Sequence, residues 1–139
     1  LDQDPHGNAT AFNQGMLYFS QRNYAGAERC FHQVLQAYED VFLGLDARSY
    51  LLRIYYEEGN WTGLESLAES FKMYLKRNKR IPKGHRDSYL HTARFFGKLA
   101  KASGWSQKRL LRLRAEIEEA TFGTISKLWL LQKLDARIK

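Results

Sequence analysis

Cysteine is almost missing from this chain: Cys30 stands alone among 139 residues, so no internal disulfide can form and the core must hold the fold. Nothing points to an oxidising compartment, and Cys30 is expected to serve as a small buried hydrophobe. Only two prolines occur and apolar residues make up 44%, the composition of a folded domain rather than a disordered tail. No apolar run approaches the ~18 residues that would span a bilayer. The opening "LDQDPHGN" carries neither an initiating Met nor a basic, apolar, small-residue leader, and it reads as the frayed start of a segment of something longer. A cytoplasmic location is the expectation. Asn8-Ala-Thr10 and Asn60-Trp-Thr62 match the glycosylation acceptor pattern, but with no secretory signal in view they are not expected to be modified.

The residue patterns of catalysis are missing as well. His6, His32, His85 and His91 show no metal-ligand spacing, and Cys30 and His32, two apart, point to different sides of a helix. Glu57-Glu58 and Glu118-Glu119 are sequence neighbours, not carboxylates converging from separate elements as general acid–base chemistry needs. No Gly-rich phosphate loop follows a strand, no strand pattern is visible, and Gly84 lies alone. No enzyme activity, metal or cofactor is expected.

What is present is helical periodicity, written twice. "YFSQRNYAGA" at 18–27 and "YYEEGNWTGL" at 55–64 share two aromatics, a polar pair, a turn residue, Asn, an aromatic, a small residue, Gly and an apolar residue. Before the first turn, Ala11, Phe12, Gly15, Met16, Tyr18 and Phe19 recur at three- and four-residue steps; after it, Asn23 is placed to cap a helix carrying Ala27, Phe31, Val34 and Leu35. In the second unit Asp46 is expected to cap a helix carrying Leu51, Ile54 and Tyr55. Gly59 stops that helix, and Asn60 caps another carrying Leu64, Leu67, Ala68, Phe71 and Leu75. A looser third unit has Tyr89, Ala93, Phe96, Leu99 and Ala100, then Gly104-Trp105 at the turn, then Leu110, Leu113, Ile117 and Ala120. A last helix, about 124–138, carries Ile125, Leu128, Leu131 and Leu134, an apolar stripe suited to covering the end of a stack. Trp61 and Trp105 occupy turn positions where a large ring closes a hairpin's open end, and Trp129 lies in the last helix.

These residues resemble the tetratricopeptide repeat. Gly15, Tyr18, Tyr24, Ala27 and Phe31 fall at that family's small, aromatic, aromatic, alanine and aromatic positions; the second unit keeps Tyr55, Trp61 and Ala68 but has Leu52 and Leu64 at the small and alanine positions. The third keeps Trp105 and places Lys108 in the alanine slot. The C-terminal half, with "FKMYLKRNK", "HRDSYL" and "WLLQKL", also resembles a recurring tail of uncharacterised bacterial repeat proteins. The resemblance implies an all-α fold: a right-handed α-α superhelix, or solenoid, of about three antiparallel hairpins plus a C-terminal capping helix. The hairpins fall at about 9–42, 46–78 and 84–120 in one domain, 9–139, behind a flexible segment 1–8. It also implies a concave groove that holds a peptide or protein segment. At the family's register Asn13, Tyr50 and Arg94 share one groove position, and Met16 and Arg53 another. Phe12, Met16 and Tyr50 stand where the carboxylate-gripping subset of the family has its Lys and two Asn, so recognition of that kind is not expected.

Charge is split along the chain. Residues 1–70 hold 4 bases against 10 acids, and residues 71–139 hold 18 bases against 5 acids. Lys72, Lys76, Arg77, Lys79, Arg80, Lys83 and Arg86 surround the Ile81-Pro82 break, and Lys108, Arg109, Arg112 and Arg114 form a second group. Candidate polyanion contacts are Lys76, Arg77, Lys79, Arg80, Lys83, Arg86 and Arg109. Arg112 with Glu116 and Arg114 with Glu118 are spaced for intrahelical pairs. The leading expectation is a scaffold binding a protein or peptide, with basic residues favouring an acidic partner. The alternative is nucleic-acid binding through the basic half, as part of a larger regulator. The split charge also permits self-association or docking within a longer chain.

Overall fold

Side-chain caps from Asn23, Asp40 and Ser106 each start a helix. The computed structural model describes residues 7–37 and 40–139. Among them are seven α-helices: α1 (Gly7–Ser20), α2 (Tyr24–Gln36), α3 (Val41–Glu57), α4 (Trp61–Arg77), α5 (Lys83–Ala100), α6 (Gln107–Glu119) and α7 (Thr124–Arg137). The all-α expectation holds among the described residues. Of the segment 1–8, Gly7 and Asn8 fall within α1, and residues 1–6 lie outside the described residues. The chain divides into two compact units, Leu1–Asn60 and Trp61–Lys139.

In the first unit α1 packs against α2, α2 against α3, and α1 also touches α3. The α1–α2 approach depends on small residues. A Cβ at Gly15 would meet the Phe31 ring at 2.9 Å, and one at Gly26 would meet Tyr18 at 3.0 Å. Ala27 and Phe31 are fully buried between these elements. Asn23 caps α2 as expected, its side chain accepting from the Gly26 N–H at 3.0 Å.

The repeated decapeptide is a repeated helix stop. The Asn23 N–H donates to the Tyr18 carbonyl at 2.8 Å and the Arg22 N–H to Phe19; correspondingly, the Asn60 N–H donates to Tyr55 at 2.9 Å and the Gly59 N–H to Tyr56. These are paired six-to-one and five-to-two closures that satisfy orphan carbonyls at a helix end. They require a left-handed residue, which is Arg22 (φ 61°) in one and Gly59 (φ 69°) in the other.

The start of α3 differs from expectation. Asp40, not Asp46, is the cap, accepting from the Leu43 N–H at 3.0 Å, and Asp46 sits inside the helix. The reason is burial: Gly44, Leu45 and Ala47 extend the apolar face one turn earlier, outweighing the low helix propensity of Gly44.

In the second unit the closest backbone approaches are α4 with α5 and α6 with α7, and α5 also touches α7. Ala68 of α4 faces Gly97 of α5, where an added Cβ would lie 3.6 Å from that of Ala68. The α4–α5 break is built by Asn78, which accepts from the Arg80 N–H and donates to the Tyr74 hydroxyl, both at 3.1 Å, while Ile81 plugs the core beneath it. Gly104 (φ 80°) makes the α5–α6 turn, and Ser106 caps α6.

The face of α7 is a second correction. The stripe expected to be inward included Ile125 and Leu128, which are 71% and 62% exposed. Ser126 and Leu130 are buried in their place, Leu134 is buried as expected, and Trp129 stacks on Phe96 at 5.3 Å. Both stripes have helical spacing, and the large ring at Trp129 selects the one that turns inward.

Candidate functional site

The groove candidates have unequal environments. In the first unit Asn13 is exposed and Met16 half-buried. Tyr50 is committed to an aromatic cluster: its ring stacks on Phe31 at 4.8 Å and meets Phe12 and Phe19 edge-on at 5.8 and 5.4 Å. Arg53 is buried, with its guanidinium 4.7 Å from the centre of the Tyr50 ring. Burial draws the Arg53 pKa below its ordinary value, while Tyr50 and Asp46 oppose that shift. In the second unit Arg94 is exposed and lies over the Phe95 ring at 4.6 Å. Tyr50 and Arg53 thus have structural work of their own, and Asn13, Met16 and Arg94 retain accessible surface.

Of the polyanion candidates, Lys76, Arg77, Lys79, Arg80 and Lys83 are exposed and Arg86 is half-buried. Lys76 and Arg77 occupy the last turn of α4, where the unsatisfied carbonyl end favours cations. Lys83 is paired with Asp87 at 2.8 Å, and this contact draws the exposed Asp87 carboxyl below its ordinary range. Lys76, Arg77, Lys79 and Arg80 make no ion pair among the described residues.

Arg109 belongs to a different place. A cleft of about 290 Å³ opens where α5 ends and α6 runs past it, lined by Lys98, Lys101, Trp105, Arg109, Arg112, Leu113 and Glu116. Helices α5 and α6 meet here through side chains: Lys98 Nζ lies 3.1 Å from both Glu116 oxygens. This replaces the expected Arg112–Glu116 pair, whereas Arg114 does reach Glu118, at 3.3 Å, and also holds Asp135 at 2.6 Å. Lys101 pairs with Glu65 at 3.3 Å. The Arg109 guanidinium lies 3.9 Å from the centre of the Trp105 ring.

The two basic groups therefore sit at opposite ends of α5, an 18-residue helix about 27 Å long. They do not converge on one point. Lys98 and Lys101 were not singled out by the sequence pattern, because neither lies in a basic run; only the fold brings them beside α6. In the first unit, likewise, the Tyr55 hydroxyl donates to Glu28 at 3.4 Å and Glu28 lies 3.6 Å from His32, a chain visible in the sequence only as a Glu–His spacing of four. Burial first, then the Glu28 charge, raises the pKa of Tyr55 and of Glu58. Among the described residues no three His, Cys, Asp or Glu side chains group as metal ligands, and no helix is long and apolar enough to cross a membrane. Comparison of the chain with models of protein families, with curated proteins and with solved structures gave no match.

Proposed function

We propose that this chain is a protein-interaction and scaffold module of tetratricopeptide-like hairpins arranged as a right-handed solenoid, binding a peptide or protein segment without catalysis. The observation that carries the reading is the work done by the residues behind the resemblance. Gly15 admits Phe31, Ala27 is wholly buried, and Tyr18 supplies the carbonyl that closes the turn. Residues so placed build a hairpin and leave its outer side chains free for a ligand. The basic second unit, with 18 bases against 7 acids, favours an acidic partner and speeds encounter with it. Fluorescence polarisation with a labelled Glu-rich peptide tests this: binding at moderate salt is expected, and no binding even at low salt would refute an acidic partner.

One observation favours a second reading, polyanion binding: Lys76, Arg77, Lys79 and Arg80 are exposed and make no ion pair among the described residues. It predicts steeply salt-dependent binding of single- or double-stranded DNA that is lost when these four become Ala, since phosphate contacts release counterions. Salt-insensitive or absent binding removes it.

A further inference from the structure

The cleft between α5 and α6 has surplus positive charge of a particular shape. Lys98 and Lys101 are matched by Glu116 and Glu65, whereas Arg109 and Arg112 make no ion pair among the described residues. The two arginines are three residues apart, so they share a helix face. The Arg109 guanidinium carbon lies over the Trp105 ring, 3.9 Å from its centre, while the residue as a whole is exposed, so the ring steadies a guanidinium that a carboxylate can still reach. A fixed guanidinium edge matches a carboxylate better than a mobile ammonium does. Leu113 is buried at the base of the cleft and Trp105 is half-buried, so apolar surface adjoins the charge.

We propose that this cleft receives an acidic side chain together with a neighbouring aromatic ring from a partner protein segment, the carboxylate on Arg109 and Arg112 and the ring against Trp105 and Leu113. The proposal rests on the interaction-module reading and places contact within the second unit, on residues other than the groove candidates. The size is appropriate: about 290 Å³ lies at the low end of small-ligand sites, room for one or two side chains. A phosphodiester strand suits the site less well, because its successive charges need a longer run of unpaired bases than Arg109 and Arg112 supply.

Fluorescence polarisation with a labelled heptapeptide, Glu-Glu-Tyr-Glu-Glu-Tyr-Glu, tests the assignment on the full chain. The R109A/R112A variant is compared with R77A/R80A at the other end of α5 and with R109K/R112K, and circular dichroism checks that each remains helical. The cleft variant is expected to lose at least about tenfold in affinity, the lysine variant several-fold, and the distal control less than about twofold. Replacing Tyr by Ser in the peptide should also weaken binding. If R109A/R112A binds normally and R77A/R80A does not, the cleft assignment is overturned while an acidic-partner module stands. Equal binding of the Ser peptide overturns the aromatic half. If the wild-type chain ignores the peptide but binds oligothymidine of equal charge, the assignment and the interaction reading both fall.

Discussion

At the scale of single residues, glycine has opposite consequences at two helical positions. Gly15 lies against the Phe31 ring, which is fully buried and stacked on Tyr50, so a methyl group there has no room. Gly15→Ala is expected to destabilise by about 1–3 kcal/mol, overpacking outweighing the gain in helix propensity. Gly84, in the first turn of α5, has nothing within 4 Å of its would-be Cβ, and Gly84→Ala should stabilise by about 0.5–1 kcal/mol. Thermal melts of the two variants should move in opposite directions; a melting temperature that does not fall in Gly15→Ala would refute the close α1–α2 approach. Arg22 offers a related test, since it holds the left-handed conformation that Gly59 provides in the next repeat. Arg22→Gly should raise stability by up to about 1 kcal/mol, and a lower melting temperature would show that Arg22 makes contacts worth more than its strain. The paired turn was legible because both copies preserve it. The commitment of Tyr50 to an aromatic cluster was not, because a half-buried ring and a groove contact have the same helical spacing.

At the scale of elements, α7 is the sharpest test of which face turns inward. Leu130 and Leu134 are fully buried, and Ile125 and Leu128 are mostly exposed. Leu130→Ala should cost about 2–5 kcal/mol, whereas Leu128→Ala should stay within about 0.5 kcal/mol in chemical denaturation. The reverse order would restore the stripe expected from sequence. Helices α6 and α7 are also tied by Arg114, which grips both Asp135 oxygens at 2.6 and 3.3 Å. That contact holds the Asp135 carboxyl below its ordinary range. A lowered folded-state pKa means that the tie's contribution is present above the unfolded carboxyl range and disappears as pH falls through the folded value. Arg114→Gln should raise the Asp135 pKa toward the ordinary range in a carbon-detected NMR titration; an unchanged value would show that Arg114 is not its partner in solution. Helix positions were readable because apolar periodicity and turn residues are local. The α3 start was not legible because Asp40 and Asp46 are both residues suited to a cap, and the α7 face was not because two stripes of helical spacing compete.

At the scale of the whole molecule, the split charge was fully legible, since counting needs no fold. The first unit holds 4 bases and 8 acids, the second 18 bases and 7 acids. Where those bases gather was not legible: Lys98, Lys101, Arg109 and Arg112 come from two helices and meet only through the α5–α6 turn. At 16.3 kDa the chain suits residue-resolved NMR, and a titration of the ¹⁵N-labelled protein with the Glu/Tyr heptapeptide would test most directly whether this is a module for acidic protein segments. The expected result is a contiguous set of perturbed amides from Lys98 to Glu116, with the Trp105 indole N–H among them and the signals of Lys76 to Arg86 unmoved. A spectrum unchanged by the peptide, or perturbed by oligothymidine alone, would contradict it.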